Sequence, residues 1–420
     1  MAKTVTRRSL MMATVAAGVS ATGAIASPAL APPPVKPHSD RLAQRYRFED
    51  PDMDLFWVAA IGWGHAGGLD VGQAYYVASK MTDGDPDSWV EAFASYGDLM
   101  NEQADVWKKR GWKQSSGEMR LKAFASYRSA WQFAPLGEVF NSNFEKHKVA
   151  FASAMQELNL PATFFEVAYE GKSLPGVFLQ NQVKAAPVVL VVGGADTCFE
   201  EMFFTVGRSL FERGYSVAMA DLPGQGRTPL DGLHWEVQAE KPITATVELL
   251  IERFKAKPGR MALLGASLGG YFVCRAAGYE KRFAAVIAST PVGDTKKIMA
   301  ARAAEAKSPD ARVVGKPALR NQEVYFWKSG TNDKPALARF SGELVADPSL
   351  VTVPFLSIVG AGESAAAQET AEEWHETIRS KRKEFVKLDA STGADGHVQI
   401  ANRLRLAQES AGFLDEIFKA

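Results

Sequence analysis

Two textures of apolar and polar positions divide the chain. From Asp40 to about Leu160, apolar residues recur every three or four positions, the period of an amphipathic helix. In "DSWVEAFASYGDLMNEQADVWKKRG" the stripe runs through Trp89, Phe93, Tyr96, Leu99 and Met100. That spacing predicts a helix with Asp87 or Ser88 as its cap. "SGEMRLKAFASYRSAWQFA" repeats the habit with Leu121, Phe124, Tyr127 and Trp131. Helix–helix packing accounts for most of these aromatic residues, and some are placed to roof a pocket.

Near Thr163 the period changes. "TFFEVAYEGKSLPGVFLQ" reads as a hairpin of two β-rich runs around "EGKS". Strand and helix signals then alternate. "APVVLVVGG" is a continuous apolar run ending in glycines, as a strand buried on both faces should be. "MFFTVGRSLFERG" is helical, "YSVAMADLPGQGRT" begins as a strand, "ITATVELLIERFKAK" is helical and "RMALLGAS" is a strand. "LGGYFVCRAAGYE", "FAAVIASTP", "VPFLSIVGAGE", "AAAQETAEEWHETIRSK", "EFVKLDA" and "NRLRLAQESAGFLDEIF" continue as helix, strand, strand, helix, strand, helix. This order predicts an α/β fold, a mostly parallel central sheet with helices on both faces. Residues 292–351 carry no sheet pattern and are the expected site of a cap insertion. No internal repeat is visible.

Composition narrows the picture. The chain has 420 residues, 46% hydrophobic and 23% charged, with 48 acidic and 48 basic side chains. Zero formal net charge gives no support for a nucleic-acid partner. The two cysteines, Cys198 and Cys274, are too few for a disulfide framework and read as small buried apolar side chains. The beginning of the chain, "TRRSLMMATVAAGVSATGAIASPALA", pairs Arg7 and Arg8 with a short, weakly apolar run and then small residues. That is the layout of a twin-arginine signal peptide, with cleavage after Ala26 or Ala31. The run is too short and too rich in Gly, Thr and Ala to span a bilayer comfortably. The expected organisation is a signal peptide over 1–31, a Pro-rich linker over 32–39, a helical cap region over 40–160 and a catalytic domain over 161–420. The expected location is periplasmic or secreted, without stable membrane insertion once the signal is removed.

The candidate chemistry centres on "GASLG", Gly265 to Gly269, which fits a G-x-S-x-G nucleophile elbow between a strand and a helix. Ser267 needs a base to take its proton. Of six histidines, His38 lies in the linker, and His147 and His375 sit in charged helical segments and read as solvated. His65 and His234 fall in Gly-containing loops that could touch substrate. His397, after the last strand, is where the order nucleophile, acid, base requires the histidine. Glu363, in "GAGES" after the preceding strand, is the candidate acid. Its rival, Asp395, lies only two residues before His397 and would need an awkward return. The oxyanion hole should use the backbone N–H groups of Leu268 and Ala195. Glu200 and Glu201 follow Ala195 and either favour a helix N-terminus or order the loop. "DLPGQGRT" reads as a structural turn without a catalytic part. There is no zinc pattern, Walker loop or dinucleotide fingerprint, so neither cofactor nor metal is expected.

"GGADTCFEE", "DLPGQG", "GASLGG", "GAGE" and "GADGHVQ" occur in the order seen in α/β-hydrolases of the 2,6-dihydroxypseudooxynicotine hydrolase and FrsA-like group, which the chain resembles over roughly residues 45–420. It is also similar to fungal hydrolases that shorten a polyketide in pigment synthesis. "DGDPDSW" and "ASYRSAWQF" extend the likeness into the helical region. A glutamate in the acid position departs from the commoner aspartate. The resemblance implies an α/β-hydrolase fold and a Ser-Glu-His serine hydrolase. It also implies a small carbonyl substrate, cleaved at a C–C bond next to a ketone or at an ester under a helical cap. A peptidase or amidase of the same fold, and a non-catalytic binding protein on a hydrolase scaffold, are the competing readings. Expected partners are a small-molecule substrate and a second copy of the chain in a homodimer.

Overall fold

The computed structural model describes residues 41–308, apart from residue 43, and residues 313–419. The expected signal peptide and linker lie outside the described residues. The described residues start with five α-helices: α1 (Pro51–Gly62), α2 (Val71–Ala78), α3 (Pro86–Lys109), α4 (Lys113–Gln132) and α5 (Glu138–Glu157). The cap of α3 is Asp85, not Asp87 or Ser88. Pro86 takes the first helical position, where its missing N–H costs nothing, and the Asp85 side chain accepts from the Asp87 amide. Trp89, Phe93, Tyr96 and Met100 of α3 are buried, whereas Leu99 is exposed, since it lies outside the arc those four define.

The sheet begins with a hairpin, β1 (Ala162–Tyr169) and β2 (Lys172–Leu179). Its two turn residues, Glu170 and Gly171, both take positive φ, which matches the twist of the flanking strands. The alternation follows: β3 (Val188–Val192), α6 (Phe199–Met202), a π turn, α7 (Arg208–Glu212), β4 (Ser216–Ala220), α8 (Glu240–Phe254), β5 (Met261–Ala266), α9 (Leu268–Tyr279) and β6 (Phe283–Ser289). Three helices, α10 (Lys296–Glu305), α11 (Lys316–Ser329) and α12 (Lys334–Glu343), occupy the stretch without a sheet pattern. The chain closes with β7 (Phe355–Gly360), α13 (Ala365–Thr377), β8 (Lys383–Leu388) and α14 (Arg403–Phe418).

The eight strands are ordered β1-β2-β4-β3-β5-β6-β7-β8. β1, β2 and β4 pair antiparallel in turn, and every other neighbour pair is parallel. Alternate residues of β3 feed two cores. Val189 and Val191 face one shared with the N-terminal helices and α14, while Val188, Leu190 and Val192 face one shared with α8 and α9. The helical region is therefore packed on one face of the sheet rather than standing apart from it. No helix among the described residues is long and apolar enough to cross a membrane.

Candidate active site

Ser267 sits between the end of β5 and the first residue of α9, at φ 59° and ψ −120°. An L-residue pays a steric penalty there, and such strain persists where surrounding packing enforces it. The neighbours enforce it by close approach. A Cβ at Gly265 would stand 2.1 Å from the Gly269 carbonyl oxygen, and one at Gly269 would stand 2.5 Å from that of Gly193. The turn holds the serine at the carboxyl edge of the parallel strands, where open α/β sheets place their sites.

The loops after β7 and β8 bring the other two candidates to the serine. His397 Nε2 lies 3.0 Å from Ser267 Oγ, and His397 Nδ1 lies 2.9 Å from Glu363 Oε1. Thr290, after β6, donates its hydroxyl to the same Glu363 oxygen at 2.6 Å. Burial alone would raise the Glu363 carboxyl. The charge and hydrogen bond of His397, the Thr290 hydroxyl and the nearby Arg41 guanidinium outweigh it and hold the group down at about 2. Asp395 is buried, but its part is played by the backbone: its carbonyl accepts from Gly362 N at 2.7 Å and ties the base loop to the acid loop. Val398 and Gln399, next to the histidine, also take positive φ, and Gln399 Oε1 accepts from Ser289 Oγ at 2.6 Å.

Leu268 N and Ala195 N donate to no protein acceptor among the described residues. Leu268 opens α9, so its N–H is one of the helix's free donors. Ala195 is oriented by a residue that the sequence reading passed over. Gln225, in "DLPGQGRT", donates from Nε2 to the carbonyls of Gly193 and Gly194 at 2.6 and 2.9 Å. In a trans peptide the C=O and N–H point opposite ways. Holding the Gly194 oxygen toward Gln225 therefore turns the Ala195 N–H away from it, and Ala195 and Ser267 line the same cavities. The turn is structural, as expected, yet it also sets this loop. Gln225→Leu is expected to lower kcat roughly tenfold to a hundredfold, with a smaller change in KM. Steady-state kinetics beside a thermal melt checks this, and an unchanged kcat would mean the loop holds its shape without the glutamine.

Arg128 of α4 is the second residue missed. It is buried, donates from Nε to Glu201 Oε2 at 2.7 Å and from Nη2 to the Asp196 carbonyl at 2.7 Å, and lies over the Trp131 ring. Glu201 thus orders the loop after β3 through an arginine from the helical region. The available signal was a cation within the apolar stripe of α4, a feature that Arg120 shares.

The remaining histidines divide differently from expectation. His147 is fully buried rather than solvated, because α5 turns it into the core against Phe144 and Phe124. His375 is half-buried beside Phe385 rather than solvated. His65 is exposed and bonded to the Gly62 carbonyl, and His234 is bonded to that of Trp327; neither lines the cavities at Ser267. His38 lies outside the described residues. Cys198 and Cys274 are both buried and unpaired by disulfide. His147, Cys198 and Glu200 present donor atoms within 4.8 Å of one another. This is the group of described residues that could hold a metal ion, and it lies beneath the loop after β3, not in either cavity at the serine.

Two cavities meet at Ser267 and His397. The smaller, about 70 Å³, is lined by Leu55, Phe56, Trp63 and Trp89 of the helical region, with Arg128 and Gln132. The larger, about 260 Å³, lies under the insertion and is lined by Val292, Met299, Tyr325, Phe340 and Leu344 among others. Both are mostly apolar with a few polar groups, the usual make-up of a small-molecule site.

A family model described as "Serine aminopeptidase, S33" matches residues 182–332, which include Ser267 but neither Glu363 nor His397. The α/β-hydrolase pydG of an Acremonium species is 27% identical over 87% of this chain and 96% of that protein. The 20-hydroxy-prefusarin hydrolase FUS2 of Gibberella moniliformis is 28% identical, over 50% of this chain and 54% of that protein. The crystal structure of 2,6-dihydroxy-pseudo-oxynicotine hydrolase superposes with a TM-score of 0.69 at 18% identity, over 85% of this chain and 96% of that one. With strand order, elbow and the superposed structure in agreement, the chain has the fold of the α/β-hydrolases.

Proposed function

We propose that the chain is a serine hydrolase in which Ser267, His397 and Glu363 act as nucleophile, base and acid on a small, mostly apolar carbonyl compound. The observation that carries this reading is the unbroken relay from Glu363 through His397 to Ser267, at 2.9 and 3.0 Å, beside two N–H groups without protein acceptors. Ser267 Oγ attacks the carbonyl carbon as His397 Nε2 takes its proton. Glu363 keeps the other imidazole nitrogen protonated and stabilises the imidazolium. The Leu268 and Ala195 amides receive the developing oxyanion. His397 then returns the proton to the leaving group, an alkoxide from an ester or an enolate carbon from a ketone. A water, deprotonated by His397, releases the acyl group.

Both bond types use these residues alike, and relatives named as hydrolases of 2,6-dihydroxy-pseudo-oxynicotine and 20-hydroxy-prefusarin support a small organic substrate. A peptidase reading draws on the description of the matching family model. Cavities of about 70 and 260 Å³ beneath helices favour small substrates over peptides. Aryl esters, anilides and β-diketones of matched size, given to purified protein, test the reading. Turnover of ester or diketone is expected, and anilide turnover exceeding both would favour the peptidase. A periplasmic or secreted location is proposed from Arg7, Arg8 and the small-residue run alone.

A further inference from the structure

The larger cavity is apolar in most of its lining, yet two guanidinium groups face it, those of Arg41 and Arg302. Its one lining carboxylate, Glu363, is already engaged by His397 and Thr290. The polar side chains around the wall are largely committed to the protein. Tyr271 donates to the Val237 carbonyl at 2.8 Å, Tyr325 to Asp196 Oδ2 at 3.1 Å and Ser341 to the Leu337 carbonyl at 2.9 Å. The Thr295 hydroxyl is bonded to the Ser341 carbonyl. Arg41 lies 3.6 Å from Asp52 and over the Phe56 ring.

Arg302 is different. Among the described residues it has neither a hydrogen-bond partner nor an ion pair; Arg41 lies near enough to repel it, and Glu305 and Asp52 near enough to attract it. It is exposed and lines the cavity. Its place in the last turn of α10 gives it a favourable helix end. That end satisfies none of its five N–H donors. Glu305 and Asp52 offset its charge only from beyond ion-pair distance, so a carboxylate arriving in the cavity can take these donors directly. The smaller cavity offers no equivalent. Arg128 and Arg403, which line it, both lie beside Glu201.

We propose that the larger cavity recognises a carboxylate on the substrate, with Arg302 as its direct partner and Arg41 adding favourable charge. The proposal rests on the reading of Ser267 as the reacting centre and names the class of substrate it takes: a carbonyl compound that carries a carboxylate within reach of the insertion. The planar guanidinium matches a carboxylate with two parallel hydrogen bonds, while the apolar wall takes the hydrocarbon between the acid and the reacting carbonyl.

Two pairs of esters test it. In 4-nitrophenyl hydrogen glutarate and 4-nitrophenyl pentanoate the carboxylate is present or absent on the acyl side. In the pentanoate esters of 3-hydroxybenzoate and 3-methylphenol it is present or absent on the leaving group. The native enzyme is expected to favour the carboxylate member of one pair by roughly tenfold or more in kcat/KM, the range of a charge-assisted hydrogen bond. Arg302→Met should abolish that ratio through KM, and Arg302→Lys should restore part of it. Thermal melts check that each variant is folded. No preference in either pair, or a ratio that survives Arg302→Met, overturns the proposal. Calorimetry with glutarate on Ser267→Ala protein separates this from failure of the catalytic reading. Binding that is lost on adding Arg302→Met supports the anion site even if Ser267→Ala retains activity, and binding indifferent to Arg302 overturns it.

Discussion

Ser267→Ala and His397→Ala are each expected to lower kcat by about 10⁴-fold or more while the protein stays folded. In the proposed reaction the serine supplies the atom that bonds to the carbonyl carbon, and the histidine, 3.0 Å from it, supplies the base. Neither change removes much packing. The His397 side chain is partly exposed at the cavity, and loss of the Ser267 hydroxyl leaves the backbone of the elbow held by its glycine contacts. The double variant should be little slower than either single one, because once the proton acceptor or the nucleophile is gone the remaining partner has nothing to act with. Residual turnover then reports the Leu268 and Ala195 amides and the cavities alone. Steady-state kinetics on the three variants checks this, with circular dichroism to confirm folding. Additive losses in the double variant would mean that the two side chains act separately.

Glu363→Gln is expected to lower kcat by about 10³- to 10⁴-fold, the scale seen when the acid of such a relay becomes an amide. The amide nearly preserves the shape of the carboxylate but cannot stabilise an imidazolium, and it can present an N–H to His397 Nδ1 and so favour the wrong tautomer. The same change has a signature in stability. The Glu363 carboxyl is held at about 2, below its ordinary 4.5, so its ionised form favours the folded state. That contribution is fully present above about 4.5 and is lost as the pH falls toward 2. The stability difference between native enzyme and Glu363→Gln should therefore be constant near neutrality and shrink as the pH falls from about 5 toward 3. Urea unfolding at a series of pH values measures it. A difference that stayed constant down to pH 3 would mean that the interactions around Glu363 do not depend on its charge.

The sheet and its flanking helices were legible because buried parallel strands must be apolar on both faces, which leaves continuous runs such as "VVLVV" between helical periods. Ser267, Glu363 and His397 could be picked out because each lies in the loop after a strand signal, in the order nucleophile, acid, base, and the structure brings those side chains into one line of hydrogen bonds. The supporting residues could not be read in the same way. Gln225 acts across 31 residues on the carbonyls of a loop, and nothing in its own neighbourhood distinguishes it from a turn glutamine. Arg128 reaches Glu201 across 73 residues. His147 was misplaced because charged neighbours in sequence occupy the other faces of α5, and only the packing decides which face points inward. The Asp85 cap was missed because Pro86 moves the first helical position two or three residues earlier than the apolar stripe suggests.

The most direct measurement is intact-protein mass spectrometry after treatment with a fluorophosphonate, followed by sequencing of the labelled peptide. The account predicts a single adduct on Ser267, slowed in Glu363→Gln and absent in Ser267→Ala and His397→Ala. No adduct on the native enzyme, or labelling that persists on another residue after Ser267 is replaced, would contradict it.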